Sequence, residues 1–179
     1  MAKKIYEACR RLLTTCANCQ PDENILIVTD TDSLEIGMAL WDAAEEFPKK
    51  TMVMMEPRKM HGEEPTPLVA AAMLKADVIF RATKFSLSHS HARRDACAAG
   101  ARDLNCCDYS IEMLEKGGLY TDFEADRKYV DQLLKSMANG DQVHITSEAG
   151  TDYYASIKGH KLFPQYGMVR NPGETCSPP

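Results

Sequence analysis

The sequence has 179 residues, of which 44% are hydrophobic and 26% are charged, and this composition is typical of an ordinary globular domain with one core. The formal net charge of -5 argues against a protein that mainly binds nucleic acid or anionic lipid, because both need a surplus of Lys and Arg on one face. The N-terminus lacks the apolar region of a signal peptide, and no stretch approaches the roughly 20 apolar residues of a membrane span. We therefore expect a cytoplasmic protein that acts on a small molecule or a peptide and has no nucleic-acid or membrane partner.

Apolar periodicity divides the chain into alternating elements. Helical spacing predicts helices over residues 3–17, 34–47, 67–75, 90–99 and 130–137. Short apolar runs predict strands over residues 25–28, 52–55, 78–80 and 104–107. Two further runs, residues 143–146 and 153–157, flank a turn that contains Gly150 and predict a β hairpin, whereas the tail shows no periodicity.

This alternation predicts the fold class, because strands that alternate with helices are joined by right-handed crossovers into a parallel sheet. We expect an α/β fold with three Rossmann-like layers: a mostly parallel sheet of about four strands with helices on both faces. A C-terminal antiparallel β hairpin annex is added to it. The expected division is an α/β domain over residues 1–140 and the β annex with a linker over residues 141–179.

The seven cysteines are an odd number and are scattered, which is typical of reduced thiols. Cys16 and Cys19 have the Cys-x-x-Cys spacing of metal and redox motifs. A zinc site also needs a second pair or histidines at a fixed distance, and neither is present. We therefore expect both to be small buried residues near the end of a helix.

Two acidic residues, Asp30 and Asp32, follow the first predicted strand, where open α/β sheets bind their ligands. Asp30 is therefore a candidate cleft residue, and the pair could hold Mg²⁺. Asp-x-Asp after a strand also resembles the first motif of haloacid dehalogenase-like phosphotransferases, but Leu34 departs from that motif and no late pair of acids follows a strand. The structural alternative is that Asp32 and Ser33 cap the next helix while Asp30 is solvated.

A histidine-containing cluster, residues 86–94, lies between the third strand and the next helix. It could supply a general acid or base and an anion-binding arginine. The alternative is a polar helix start in which Ser88 or Ser90 is the cap and the histidines face solvent. The other histidines, His61, His144 and His160, are isolated in the sequence.

Several short stretches occur in a family-specific order. They are residues 23–30, 62–65, 76–79, 86–93 with 99–102, 150–152 and 172–174. In this order they resemble the front half of the aminopeptidase T family of thermophilic-type metallo-aminopeptidases, whose wider superfamily includes iron-dependent 2,5-dihydroxypyridine dioxygenases. Departures at residues 47–48 and 105–107 indicate a divergent member.

The resemblance implies a homo-oligomeric hydrolase in which divalent metal, Zn, Co or Fe, activates water against the amide of an N-terminal residue. It implies that the metal ligands follow Pro172-Gly173-Glu174 in a C-terminal domain absent from this sequence, so that none lies in this chain. His89 and Arg93 are then the implied catalytic residues, and Thr151 and Asp152 join Asp30 as cleft residues.

Two alternatives stay open: the N-terminal domain of an iron-dependent ring-cleaving dioxygenase, and a non-catalytic binding or oligomerisation domain. If a domain is missing, apolar surface should be exposed around Leu162, Phe163, Tyr166 and Met168.

Overall fold

The computed structural model describes residues 2–179. The chain forms two compact units, one of Met1–Thr121 with Gly167–Pro179 and one of Asp122–Tyr166. The first unit is an α/β layer structure. Its helices are α1 (Lys3–Arg11), continued by a π-helical turn (Leu12–Cys16), α2 (Leu34–Ala43), α3 (Pro67–Met73), α4 (His91–Ala98) and α5 (Ile111–Lys116), followed by a 3₁₀ turn (Gly118–Tyr120). Its strands are β1 (Ile25–Asp30), β2 (Lys50–Met55), β3 (Val78–Ala82), β4 (Arg102–Asn105) and, late in the chain, β7 (Thr175–Cys176).

The five strands form one parallel sheet in the order β2-β1-β3-β4-β7. The predicted fold class is confirmed, although the sheet has five strands and the boundaries of several strands differ from the predicted runs. Strand β4 begins two residues before the predicted run, because the buried charged residues Arg102 and Asp103 belong to it. Strand β7 lies in the tail that shows no periodicity, and two residues are too few to produce any.

Helices cover both faces of the sheet, since α1 packs on α2 and α3 packs on α4. Leu26, Val28 and Ile79 pack against Val69 and Met73 of α3 in one continuous core. Successive strand residues point to opposite faces, so the intervening Ile27 and Phe80 fill the other face. Burial on both faces explains why β1 and β3 are continuous apolar runs.

The second unit contains α6 (Phe123–Met137) and an antiparallel hairpin of β5 (Gln142–Thr146) and β6 (Asp152–Ser156). The predicted hairpin is confirmed. Phe163 in this unit is 72% exposed, as expected, but Met168 belongs to the first unit and is only 6% exposed. The expectation of an exposed Met168 is therefore wrong.

All seven cysteines are free, and Cys16 and Cys19 are buried as predicted. Burial raises the pKa of each of these two thiols to about 12, so both are protonated and unreactive at neutral pH. No helix within residues 2–179 is long and apolar enough to cross a membrane.

Candidate functional site

Parallel strands β1, β3 and β4 all end at the same edge of the sheet, here called the carboxyl edge. Three loops meet there: residues 31–33 after β1, the β3–α4 loop (residues 83–90), and residues 106–110 after β4. Ligand sites of open α/β sheets lie at this edge.

Asp30 ties two of these loops together. It is fully buried, its Oδ1 accepts from the backbone N–H of Ser33 at 2.9 Å, and its Oδ2 accepts from the backbone N–H of Lys84 at 2.7 Å. The expectation that Asp30 is solvated is wrong, because two amide donors compensate its lost hydration. Ser33 is the N-cap residue of α2, but its side chain makes no capping hydrogen bond. Both Asp30 oxygens are occupied, which makes this side chain a support for the carboxyl edge.

A buried ion pair lies beneath the β3–α4 loop. Arg81 donates from Nε to Asp103 Oδ1 at 2.6 Å and from Nη2 to Oδ2 at 2.7 Å, and both side chains are fully buried. Thr175 Oγ1 also donates to Asp103 Oδ2 at 2.7 Å. The bidentate geometry and the third donor satisfy the carboxylate, so β3, β4 and β7 are joined by charge-assisted hydrogen bonds.

Serine side chains carry this network up to the loop. Both terminal nitrogens of Arg81 lie 3.2 Å from Ser88 Oγ, which accepts in turn from Ser86 Oγ at 2.8 Å. Asn105 Nδ2 donates to Ser177 Oγ at 3.2 Å at the end of β7. The β3–α4 loop therefore rests on a fixed polar base.

The start of α4 confirms in part the alternative of a polar helix start capped by a serine. Ser90 is the N-cap, and its Oγ accepts from the backbone N–H of Arg93 at 3.2 Å. Glu64, from the loop after β2, accepts from the backbone N–H groups of His91 and Ala92 and contacts the His91 ring at 2.9 Å. These backbone hydrogen bonds lower the pKa of Glu64, with His91 N–H as the largest cause. His91 is therefore occupied in fixing the helix start.

His89 and Arg93 differ in how they are engaged. Arg93 Nε donates to the backbone oxygen of Ser88 at 2.8 Å, so its guanidinium holds the residue immediately before His89. The exposed His89 side chain has no hydrogen-bond partner within residues 2–179. His89 therefore presents its ring with both nitrogens open, whereas the Arg93 guanidinium is engaged.

His61, which looked isolated in the sequence, lies at the same site. Its Nδ1 accepts from the backbone N–H of Ser86 at 3.0 Å, and its ring meets Phe85 edge to face at a centroid distance of 5.3 Å. A Cβ added to the neighbouring Gly62 would stand 3.4 Å from His89 Cβ. Sequence spacing could not reveal the contact between His61 and Ser86. His61 lies on the loop after β2, and β2 pairs with β1 on the side opposite β3.

An exposed ion pair joins the β3–α4 loop to the loop after β4. Lys84 Nζ lies 2.6 Å from Asp108 Oδ1, which raises the pKa of the lysine and lowers the pKa of the carboxyl. Cys107 is half-buried beside it and lies 3.3 Å from the backbone oxygen of Lys84.

Thr151 and Asp152 belong to the hairpin of the second unit. Asp152 Oδ1 lies 2.7 Å from His144 Nε2, and the His144 ring stacks on Tyr154 at 3.9 Å. Thr151 donates its backbone N–H to Ser147 Oγ at 3.2 Å within the turn. These contacts stabilise the hairpin itself.

No group of three His, Cys, Asp or Glu side chains that could hold a metal ion occurs in the described chain, residues 2–179. A cavity of about 210 Å³ lies elsewhere, lined by residues that include Asn24, Thr51 and Lys75 next to the starts of β1 and β2. None of the candidate site residues lines it.

Residues 4–177 match the family model described as 2,5-dihydroxypyridine 5,6-dioxygenase. The fold is similar to the solved structure of the 2,5-dihydroxypyridine dioxygenase from Pseudomonas putida KT2440, with a TM-score of 0.78 and 17% sequence identity. The alignment covers 100% of this chain and 55% of that chain, so this chain spans about half the length of its structural neighbour. No curated protein sequence matches this chain significantly.

These findings correct the expected activity. The aminopeptidase, hydrolase and metalloprotease assignment is wrong, because the family match and the similar structure both belong to dioxygenases. The wider superfamily was identified, and the ring-cleaving alternative within it agrees with the match.

Proposed function

Since the chain belongs to the 2,5-dihydroxypyridine 5,6-dioxygenase family, we propose that it forms the α/β side of the substrate cleft of a ring-cleaving dioxygenase, with His89 acting on a ring hydroxyl. The observation that supports this role is the state of His89. It lies at the carboxyl edge with both ring nitrogens open within the described chain, whereas His61 and His91 are each held through Nδ1.

The proposed chemistry of His89 is proton transfer. A hydroxylated aromatic ring gives up electrons more readily once a hydroxyl has lost its proton, and imidazole is the side chain suited to accept that proton near neutral pH. Arg93 acts here as a positioning residue, because it holds the Ser88 carbonyl next to His89. A cleft role for Thr151 and Asp152 stays a prediction, and Asp30 supports the loops of the carboxyl edge.

Membership of a dioxygenase family implies a metal cofactor, and we propose iron. The residues described here do not fit a metal site, since they bring no three ligands together. In this proposal the metal is held by residues outside this sequence, and the chain contributes binding, orientation and proton transfer.

The test is an anaerobic NMR titration of the 179-residue chain with 2,5-dihydroxypyridine, comparing His89→Gln with His91→Gln as the matched control. We expect His89→Gln to raise the Kd about tenfold, the value of one hydrogen bond to a charged partner. His91→Gln should stay within about twofold, because that ring is held by Glu64. Equal affinities for His89→Gln and the unmodified chain would contradict the role of His89.

A non-catalytic binding role is the second candidate, because the open ring nitrogens of His89 suit a hydrogen bond to the ligand as well as a proton transfer. The two candidates differ in the expected effect of His89→Gln on turnover. If the chain only binds the ring, His89→Gln lowers affinity without changing the pH dependence of turnover in an assembled enzyme.

A further inference from the structure

The loop after β2, here called the β2–α3 loop (residues 56–66), is fixed to the β3–α4 loop by several contacts. Gly62 donates its backbone N–H to the Ser86 oxygen at 2.7 Å, while Ser86 returns its own N–H to His61 Nδ1 at 3.0 Å. The His61 ring also rests edge to face against Phe85. The position of His61 is therefore set by one backbone–backbone hydrogen bond next to it, one hydrogen bond from a backbone N–H to its ring, and one aromatic contact.

These contacts also fix which nitrogen of His61 carries its proton. A backbone N–H can only donate, so Nδ1 must accept, and the neutral ring is protonated on Nε2. The exposed ring has no partner for Nε2 within residues 2–179. His61 thus presents an oriented N–H donor at the carboxyl edge.

The backbone behind His61 is anchored in the core. Ser86 Oγ donates to Ser88 Oγ, which accepts from the guanidinium of the buried Arg81. Ser86 cannot move far without disturbing the pair of Arg81 with Asp103. This arrangement holds the donor ready before any ligand binds, which lowers the entropy cost of binding.

His61 and His89 come from neighbouring loops. Gly62 has φ +85°, in the region that favours glycine, and a Cβ there would lie 3.4 Å from His89 Cβ. The two histidines complement each other, because one ring is held as a donor and the other is open at both nitrogens. A planar ring that carries two oxygens offers one oxygen to each histidine, and the Phe85 ring adds apolar surface beside His61.

We propose that His61 is a substrate-binding residue whose Nε2–H donates a hydrogen bond to a ring oxygen of the hydroxylated aromatic ligand. This inference rests on the proposed function, since it assigns the second oxygen of the ligand that His89 contacts. The family match and the similar fold assign no role to this residue.

Two substitutions separate the nitrogens of His61. His61→Asn keeps an amide oxygen near the place of Nδ1, so Ser86 N–H retains its acceptor while the outer donor is lost. His61→Gln puts an amide N–H near the place of Nε2 and loses the inner acceptor. We expect His61→Asn to raise the Kd for 2,5-dihydroxypyridine about tenfold, with the Ser86 amide resonance near its original position, and His61→Gln to bind more tightly than His61→Asn.

A second readout is independent of the ligand. The ¹⁵N chemical shifts of the His61 ring in the free chain should show protonation on Nε2, and protonation on Nδ1 would overturn the inference. If the unmodified chain binds the ring and His61→Asn binds it equally well, this inference fails alone. If the unmodified chain does not bind the ring, the proposed function fails together with it.

Discussion

The Asp30 carboxylate accepts a hydrogen bond from the backbone N–H of Lys84 at 2.7 Å, although the two residues are 54 positions apart. With the second hydrogen bond from Ser33, it fixes the spacing of two loops at the carboxyl edge. Loop positions in α/β proteins depend on such fully satisfied buried groups.

Asp30→Asn should therefore lower the free energy of unfolding by about 2 kcal/mol, because an amide NH₂ would face a backbone N–H and leave a buried donor unsatisfied. Asp32→Asn, two residues away on an exposed side chain, is the matched control and should change stability by less than about 0.5 kcal/mol. Urea unfolding measures both, and equal midpoints would show that Asp30 does not hold the loops.

The ion pair of Arg81 and Asp103 should be sensitive to the loss of one partner. Arg81→Met leaves the fully buried Asp103 carboxylate without its guanidinium and should cost about 3–5 kcal/mol. The double variant with Asp103→Leu removes both charges and should recover part of the loss. A double variant less stable than Arg81→Met would contradict the assigned pairing.

Stability in acid should depend on Glu64. Its pKa in the folded chain is lowered by the backbone N–H of His91, so its contribution is present above the unfolded pKa of about 4.3 and is lost as the pH falls through the lower folded value. Glu64→Gln should flatten the fall in unfolding free energy below about pH 4.5. The control is Glu148→Gln at an exposed position, which should leave that slope unchanged. An unchanged slope in Glu64→Gln would show that the contact of Glu64 with the start of α4 does not contribute to stability.

Thiol reactivity should distinguish one cysteine from the other six. Cys107 is half-buried, whereas the others are buried, and burial raises the pKa of Cys9, Cys16 and Cys19 to about 12. Burial also raises the pKa of Cys107, so labelling should be slow at neutral pH and faster in alkali. Mass spectrometry after iodoacetamide treatment should show that Cys107 is modified first. The Cys107→Ser variant should give no early product. Early labelling of Cys16 would contradict its buried environment.

Much of the fold follows from local patterns, whereas much of the site does not. The apolar runs of β1 and β3 identify buried parallel strands because both faces of the sheet are covered. Neither a cleft role nor a solvated side chain accounts for the burial of Asp30, because its partner amide at Lys84 is distant in the sequence. Arg81 and Asp103 are charged residues inside strands, and only the strand order brings them together.

The histidines of the site also show how far local sequence patterns can predict contacts. His89 could be singled out because the neighbouring sequence ends a strand and begins a helix. The sequence around His61 has no such boundary. Its contact with Ser86 forms because the loops after β2 and β3 meet, although β1 separates these two strands in the sheet. The aminopeptidase expectation was wrong for a related reason, because the α/β half alone carries little information about the chemistry.

Binding of a hydroxylated aromatic ring at the carboxyl edge can be mapped through the amide shifts of the ¹⁵N-labelled chain during anaerobic addition of 2,5-dihydroxypyridine. We expect saturable changes concentrated in residues 60–62 and 84–91, with none of comparable size for an amino-acyl amide of similar mass. Changes confined to the cavity near Asn24 and Lys75, or no saturable change, would show that the ring does not bind at the carboxyl edge.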